Sequence, residues 1–155
     1  MKYYIDGHNL IPKIPGMSLA DFDDEDRLID FLCRYAGISR SEITVFFDNA
    51  PDGMPASQKR GQVQIRYISH RMKADEAIEH AVKNLGRRAA EITVISSDAH
   101  VQTECRHAGA KVEKSEAFSR KMTAALDSAG IPTESKDRTL SAEETDYWLK
   151  LFGEK

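Results

Sequence analysis

Four aspartates, Asp6, Asp48, Asp75 and Asp98, stand where strand-like runs end or a helix-like run begins. Asp6 closes Tyr3-Tyr4-Ile5, Asp48 closes Ile43-Thr44-Val45-Phe46-Phe47, and Asp98 follows Ile92-Thr93-Val94-Ile95-Ser96-Ser97. Asp75 opens the helix-like segment from Ala74 to Leu85. In a parallel α/β sheet, ligands bind beyond the carboxyl ends of the strands. Acids delivered there by separate strands converge, and converging carboxylates need a cation to stay ionised together. The economical reading is a divalent-metal site for phosphodiester chemistry. Mg²⁺ and Mn²⁺ are hard cations that take carboxylate and water oxygens. Such an ion activates water, neutralises developing charge and orients a scissile phosphate. One ion with an acid acting as base, or two ions about 4 Å apart, both fit the pattern.

Each acid also has a simpler role. Asp75 suits the first turn of a helix, Asp98 an N-cap, Asp48 a turn before Asn49-Ala50-Pro51, and Asp6-Gly7 a tight turn. The site vanishes only if all these simpler roles hold at once. The run Asp21, Asp23, Asp24, Glu25, Asp26 differs, because near-consecutive acids fan around a helix start as solvated charge. Arg27 is left open between site and solvent.

From Gly53 to Ala74 there is no acid, but the stretch carries Lys59, Arg60, Arg66, Arg71 and Lys73, with His70. It links the second and third acids, so it is expected to pass near the site, either to meet a phosphate backbone or, equally, as a solvated loop and strand edge. Two further basic groups, Lys83 with Arg87 and Arg88, and Arg106 with His107, Lys111 and Lys114, lie later in the chain. His8 or Tyr67 could stack on an unpaired base, although Tyr67 suits a core role better.

The elements that must position these residues alternate. Residues 2–5, 43–47, 63–67, 91–96 and 109–112 read as strands, the third half-exposed. Between them, Leu28, Ile29, Phe31, Leu32, Tyr35 and Ala36 recur at helical spacing, with Ser18 as an early cap and Gly37 as a stop. His8 to Met17 reads as a loop, and Ala74–Leu85, Ala99–His107 and Glu116–Ala129 as helices. Strands alternating with helices predict a doubly wound parallel sheet. Residues 1–130 are expected to form the domain, and 131–155 a linker and a last helix docking through Tyr147, Trp148, Leu151 and Phe152.

With 155 residues, a net charge of −3 and an apolar fraction of 41%, the chain suits one soluble domain. Cys33 and Cys105 lie far apart without metal-ligand spacing, as expected of buried reduced thiols. Asp6 and His8 interrupt the place of a signal peptide, and no run approaches the roughly 18 apolar residues of a membrane span. A cytoplasmic protein with no membrane partner is expected.

The run Tyr4-Ile5-Asp6-Gly7-His8-Asn9-Leu10-Ile11 resembles the opening of NYN domains in the PIN-like nuclease superfamily, nearest the bacterial YacP-like group. The likeness continues through Val45-Phe46-Phe47-Asp48, Lys73-Ala74-Asp75-Glu76-Ala77-Ile78 and Val94-Ile95-Ser96-Ser97-Asp98, and ends near Gly109-Ala110. It implies a Rossmann-like PIN fold with strand order 3-2-1-4-5. It also implies an endoribonuclease dependent on Mg²⁺ or Mn²⁺. The family's metal acids carry over onto Asp6, Asp48, Asp75 and Asp98, its asparagine onto Asn9 and its hydroxyl onto Ser97. His8 departs from the usual tyrosine. On this reading Asn9 contacts a ligand carboxylate or phosphate, and Ser97 orients Asp98 or a metal-bound water.

The reading is therefore a metal-dependent endoribonuclease acting on single-stranded or unstructured RNA. Lys59, Arg60, Arg71, Lys73 and His8 are its substrate contacts. The rivals are a non-catalytic RNA-binding module of the same fold and a DNA nuclease using the same acids. A haloacid-type phosphohydrolase needs Asp-x-Asp at the first strand, where His8 stands instead. Nicotinamide binding lacks its Gly-x-Gly-x-x-Gly. A homo-oligomer is compatible with the sequence.

Overall fold

The structure, a computed structural model, describes residues 1–50, 55–69 and 71–130. Among the described residues, six strands form one sheet: β1 (Lys2–Asp6), β2 (Glu42–Phe47), β3 (Ser57–Arg60), β4 (Val63–Tyr67), β5 (Ile92–Ile95) and β6 (Lys111–Glu113). Their order is β3-β4-β2-β1-β5-β6. All neighbours pair in parallel except β3 with β4. The five parallel strands reproduce the expected 3-2-1-4-5 order. The expected sheet lacks β3, which adds an antiparallel edge and makes the sheet mixed. Ser-Gln-Lys-Arg carries no apolar alternation, as suits an edge strand that charge protects from further pairing.

Helices cover both faces. On one, α2 (Asp24–Ser39) and α5 (Ser115–Ser128) pack Leu28, Leu32, Phe118 and Met122 against Tyr3, Ile5, Val45 and Phe47. On the other, α3 (Ala74–Asn84) and α4 (Ala99–His107) pack Ile78, Val82, Val101 and Cys105 against Phe46 and Val94. Two-sided burial explains why the inner strands read as near-continuous apolar runs. Cys105 is buried as expected, whereas Cys33 is only half-buried.

Three local expectations are corrected. The segment after β1 is not a loop: α1 (Gly7–Leu10) is a single turn, followed by a 3-10 turn over Ile11–Lys13. Gly7 permits this, because a Cβ there would lie 2.3 Å from the Phe47 ring. Gly37 does not stop α2; the helix runs to Ser39 and ends at Arg40, in the left-handed region at φ 55°. The long helix, expected to start at Ser18 or a few residues later, starts at Asp24, and Asp23 rather than Ser18 stands at its N-cap. The expected linker and terminal helix of 131–155 lie outside the described residues.

Candidate functional site

β1 and β2 end level with each other, Asp6 opposite Phe46, so Asp6 and Asp48 leave the same end of adjacent strands. Asp6 caps α1, its Oδ1 accepting from the Asn9 N–H at 3.4 Å. Asp48 Oδ2 accepts from the Ala74 N–H at 3.4 Å, which ties the end of β2 to the start of α3 and to Asp75. Burial pushes the Asp6 carboxyl up to about 6, and the negative charges of Asp48 and Asp75 add to the shift. Asp6, Asp48 and Asp75 thus share one electrostatic neighbourhood.

His8 lies within that neighbourhood. Its Nδ1 is 2.8 Å from Asp48 Oδ1, and its Nε2 is 2.7 Å from Glu25 Oε2. A neutral imidazole has only one N–H, whereas an imidazolium donates from both nitrogens. Two carboxylates at these distances therefore select the imidazolium. The hydrogen bond to Glu25, then that to Asp48, raises His8 to about 9 despite the opposing effect of burial. Both ring nitrogens are occupied within the protein, and the ring sits 5.3 Å from that of Phe47.

The β5 side is organised by hydrogen bonds. Asn9 Oδ1 accepts from the Ser97 N–H at 3.0 Å and from Ser115 Oγ at 2.6 Å. Ser97 Oγ donates to Glu116 and accepts from the Ser115 N–H at 3.0 Å. The Ser97 contact holds Glu116 down at about 2. Lys13 approaches Glu116 at 3.5 Å. Of the two roles expected of Ser97, the one on Asp98 is taken by Ser96, whose Oγ accepts from the Asp98 N–H at 3.1 Å. The Asp98 carboxylate caps α4 through the Val101 N–H at 3.1 Å and is exposed.

Asp48, at a strand end, and Asp75, in the first turn of α3, therefore both act on Asp6, while Asp98 follows Ser97 at the end of β5. Among the described residues, no three His, Cys, Asp or Glu side chains form a ready metal cage. Asp48 and Asp98 are instead turned toward protein donors. In charge and chemistry the set still suits a hard divalent ion, since Asp6 is desolvated beside further acids that oppose its ionisation. Asp6, Asp48 and Asp75 are the residues that could hold one, whereas Asp98 is engaged as the cap of α4.

The basic residues divide. Arg71 and Lys73 are exposed on the connection from β4 to α3, directly before Asp75. Lys59 lies opposite Gln64, whose register continues through Thr44 to Tyr4. That places it three strands from Asp6, about 14 Å across the sheet, and two residues below the carboxyl end. The Arg60 guanidinium meets Asp26 at 3.4 Å. The basic stretch thus divides between the two expectations: Lys59, Arg60 and Arg66 lie on the β3–β4 hairpin at the sheet edge, whereas Arg71 and Lys73 lie on the connection before Asp75. Arg27 turns toward Asp21, 3.6 Å away, and the Gly16 carbonyl. His100 is an exposed partner of Glu79 at 3.1 Å.

Glu25, Ser115 and Glu116 join the site without having been singled out by sequence. Glu25 stands within a run that reads as solvated charge, yet it precedes Leu28, Ile29 and Leu32 by three, four and seven residues. That spacing puts it on the inward stripe of α2 and is a usable signal.

The doubly wound sheet and the polar groups at its carboxyl end define a PIN-like α/β domain. A family model described as the YacP-like NYN domain matches residues 3–151. The chain belongs to that family, which points to a nuclease-type, RNA-related function. The crystal structure of Rae1 (YacP) from Bacillus subtilis superposes with a TM-score of 0.71 at 22% identity, covering 97% of this chain and 87% of that one. A tryptophan-to-leucine mutant of the same protein gives 0.68 at 22% identity, covering 83% and 79%. No curated protein matches the chain. Among the described residues no helix is long and apolar enough to cross a membrane.

Proposed function

We propose that the protein is a divalent-metal-dependent endoribonuclease that hydrolyses phosphodiester bonds in single-stranded or unstructured RNA in the cytoplasm. The observation that carries this reading is Asp6, a half-buried carboxyl at a strand end on which Asp48 and Asp75 both act. A cation among these three would relieve their repulsion. When bound, Mg²⁺ or Mn²⁺ would supply an activated water and neutralise charge developing on phosphorus. Asp6, Asp48 and Asp75 would hold the ion, and Asp98 would complete the set. Asn9, its carbonyl held by Ser97 and Ser115, keeps its NH₂ for a carboxylate or phosphate. Arg71 and Lys73 draw the phosphate backbone past Asp75.

Matched unstructured RNA and DNA strands test this reading, each incubated with Mg²⁺, with Mn²⁺ and with chelator. Metal-dependent cleavage internal to the RNA is expected, and it should be lost in Asp98→Asn without loss of fold, since asparagine caps a helix as well as aspartate does. Binding without cleavage would identify an RNA-binding module. Preferential cleavage of DNA would replace the substrate class.

A further inference from the structure

Glu25 comes from α2, an element that contributes none of the strand-end acids, yet its carboxylate ends a continuous ladder into the site. Glu25 Oε2 lies 2.7 Å from His8 Nε2, and His8 Nδ1 lies 2.8 Å from Asp48 Oδ1. All three side chains are only a quarter to a third exposed. The imidazole is rigid and planar, so fixing one nitrogen fixes the direction of the other. Its ring also packs against Phe47, the residue that precedes Asp48 on β2. The His8 backbone belongs to α1, which Gly7 seats against the same Phe47 ring. Neither end of the ladder is therefore left to a mobile side chain alone.

We propose that Glu25 is a positioning residue that acts through His8 on Asp48. The ladder binds Asp48 Oδ1 from the α2 side and leaves Oδ2, now only weakly held by the Ala74 N–H, as the oxygen presented to the ion. A carboxylate whose rotamer is already chosen loses less freedom on binding, and partners behind a metal ligand commonly govern affinity about 10–100-fold. Glu25 does this without touching the ion. The inference rests on the metal-nuclease reading above.

A double-mutant cycle on Mn²⁺ affinity tests it, with free Mn²⁺ read by electron paramagnetic resonance in the full chain and no turnover required. Glu25→Ala should weaken Mn²⁺ binding about tenfold. His8→Ala should weaken it similarly, and Glu25→Ala should add nothing further in that background. Glu25→Gln, which keeps an acceptor of the same length, should recover most of the loss. Thermal melts of each metal-free variant confirm that a folded protein is being titrated. Additive losses would make Glu25 an independent ligand and overturn the proposal. Unchanged affinity in Glu25→Ala, or a Gln variant no better than Ala, would overturn it as well. Wild-type protein that binds no Mn²⁺ would instead sink the metal reading, and the positioning role with it. Wild-type binding with a failed cycle removes only the role of Glu25.

Discussion

The two sides of the site are built on opposite principles. On the β2 side, Glu25 and Asp48 flank the His8 imidazolium, Asp48 and Asp75 act on Asp6, and burial opposes the charge of Asp6. On the β5 side, Asn9, Ser97 and Ser115 are neutral and satisfy one another, Ser96 holds the Asp98 N–H while the Asp98 carboxylate caps α4, and Glu116 is held ionised by Ser97. The first side stores electrostatic tension that an ion or a proton can release. The second stores almost none and fixes position. A phosphodiesterase needs both, since charge must be available where it develops and the groups around it must not relax when it does.

Asp6→Asn gives the sharpest separation of the two sides. Cleavage should fall by about 10²–10³-fold or more, because the central carboxylate is lost. The metal-free fold should become more stable. The Asp6 carboxyl rises from its ordinary value of 3.8 to about 6 in the fold, so the folded state binds the proton more tightly than the unfolded chain does. The fold is therefore penalised as pH rises from about 3.8 to about 6, and fully so at pH 7, by at most about 3 kcal/mol. Melting curves of wild type and variant at pH 4 and pH 7 check the sign. Their difference should be small at pH 4 and favour the variant at pH 7.

His8 carries the opposite expectation on the same side. Its pKa rises from 6.5 to about 9, so its ion pairs stabilise the metal-free fold fully below 6.5, and that contribution is lost as pH passes 9. The contribution is at most about 3 kcal/mol. Denaturant titrations of wild type against His8→Gln should differ at pH 6 and converge near pH 10. A constant difference would mean that packing against Phe47, rather than charge, is what His8 supplies.

The split between the sides also decides what could be read from the chain. The parallel strands are legible because two-sided burial forces apolar runs, and Asp6, Asp48 and Asp98 are legible because they end or follow such runs. β3 is not legible, since an edge strand of Ser-Gln-Lys-Arg needs no apolar face. Glu25 is hidden by its neighbours: five acids in six positions look like solvated charge, and only the inward stripe of α2 distinguishes one of them. The Asn9–Ser115 bond joins residues 106 positions apart, and no local period announces it. The nature of an acid at a strand end shows in sequence, whereas the partner that orients it depends on tertiary packing.

On the neutral side, Asn9→Ala should act through geometry. It removes the acceptor of both the Ser97 N–H and the Ser115 hydroxyl, and Ser115 is fully buried. Leaving such donors unpaired costs about 1–3 kcal/mol. A fall of that size in denaturant stability, independent of pH between 5 and 8, is expected. A pH-dependent loss would tie Asn9 to the charged side instead.

The smallest effect probes where the substrate's backbone runs. Arg71 and Lys73 adjoin Asp75, whereas Lys59 lies three strands from Asp6 and below the carboxyl end. Removing one cation that neutralises a phosphate of single-stranded nucleic acid lowers the slope of log affinity against log salt by about 0.7. Replacing Arg71 and Lys73 with glutamine should therefore reduce that slope by about 1.4 for an unstructured RNA, measured by fluorescence anisotropy across a salt series. Lys59→Gln should leave it unchanged. The reverse result would route the RNA over the β3 edge, and the charged side would then meet its substrate from across the sheet and not along the connection from β4 to α3.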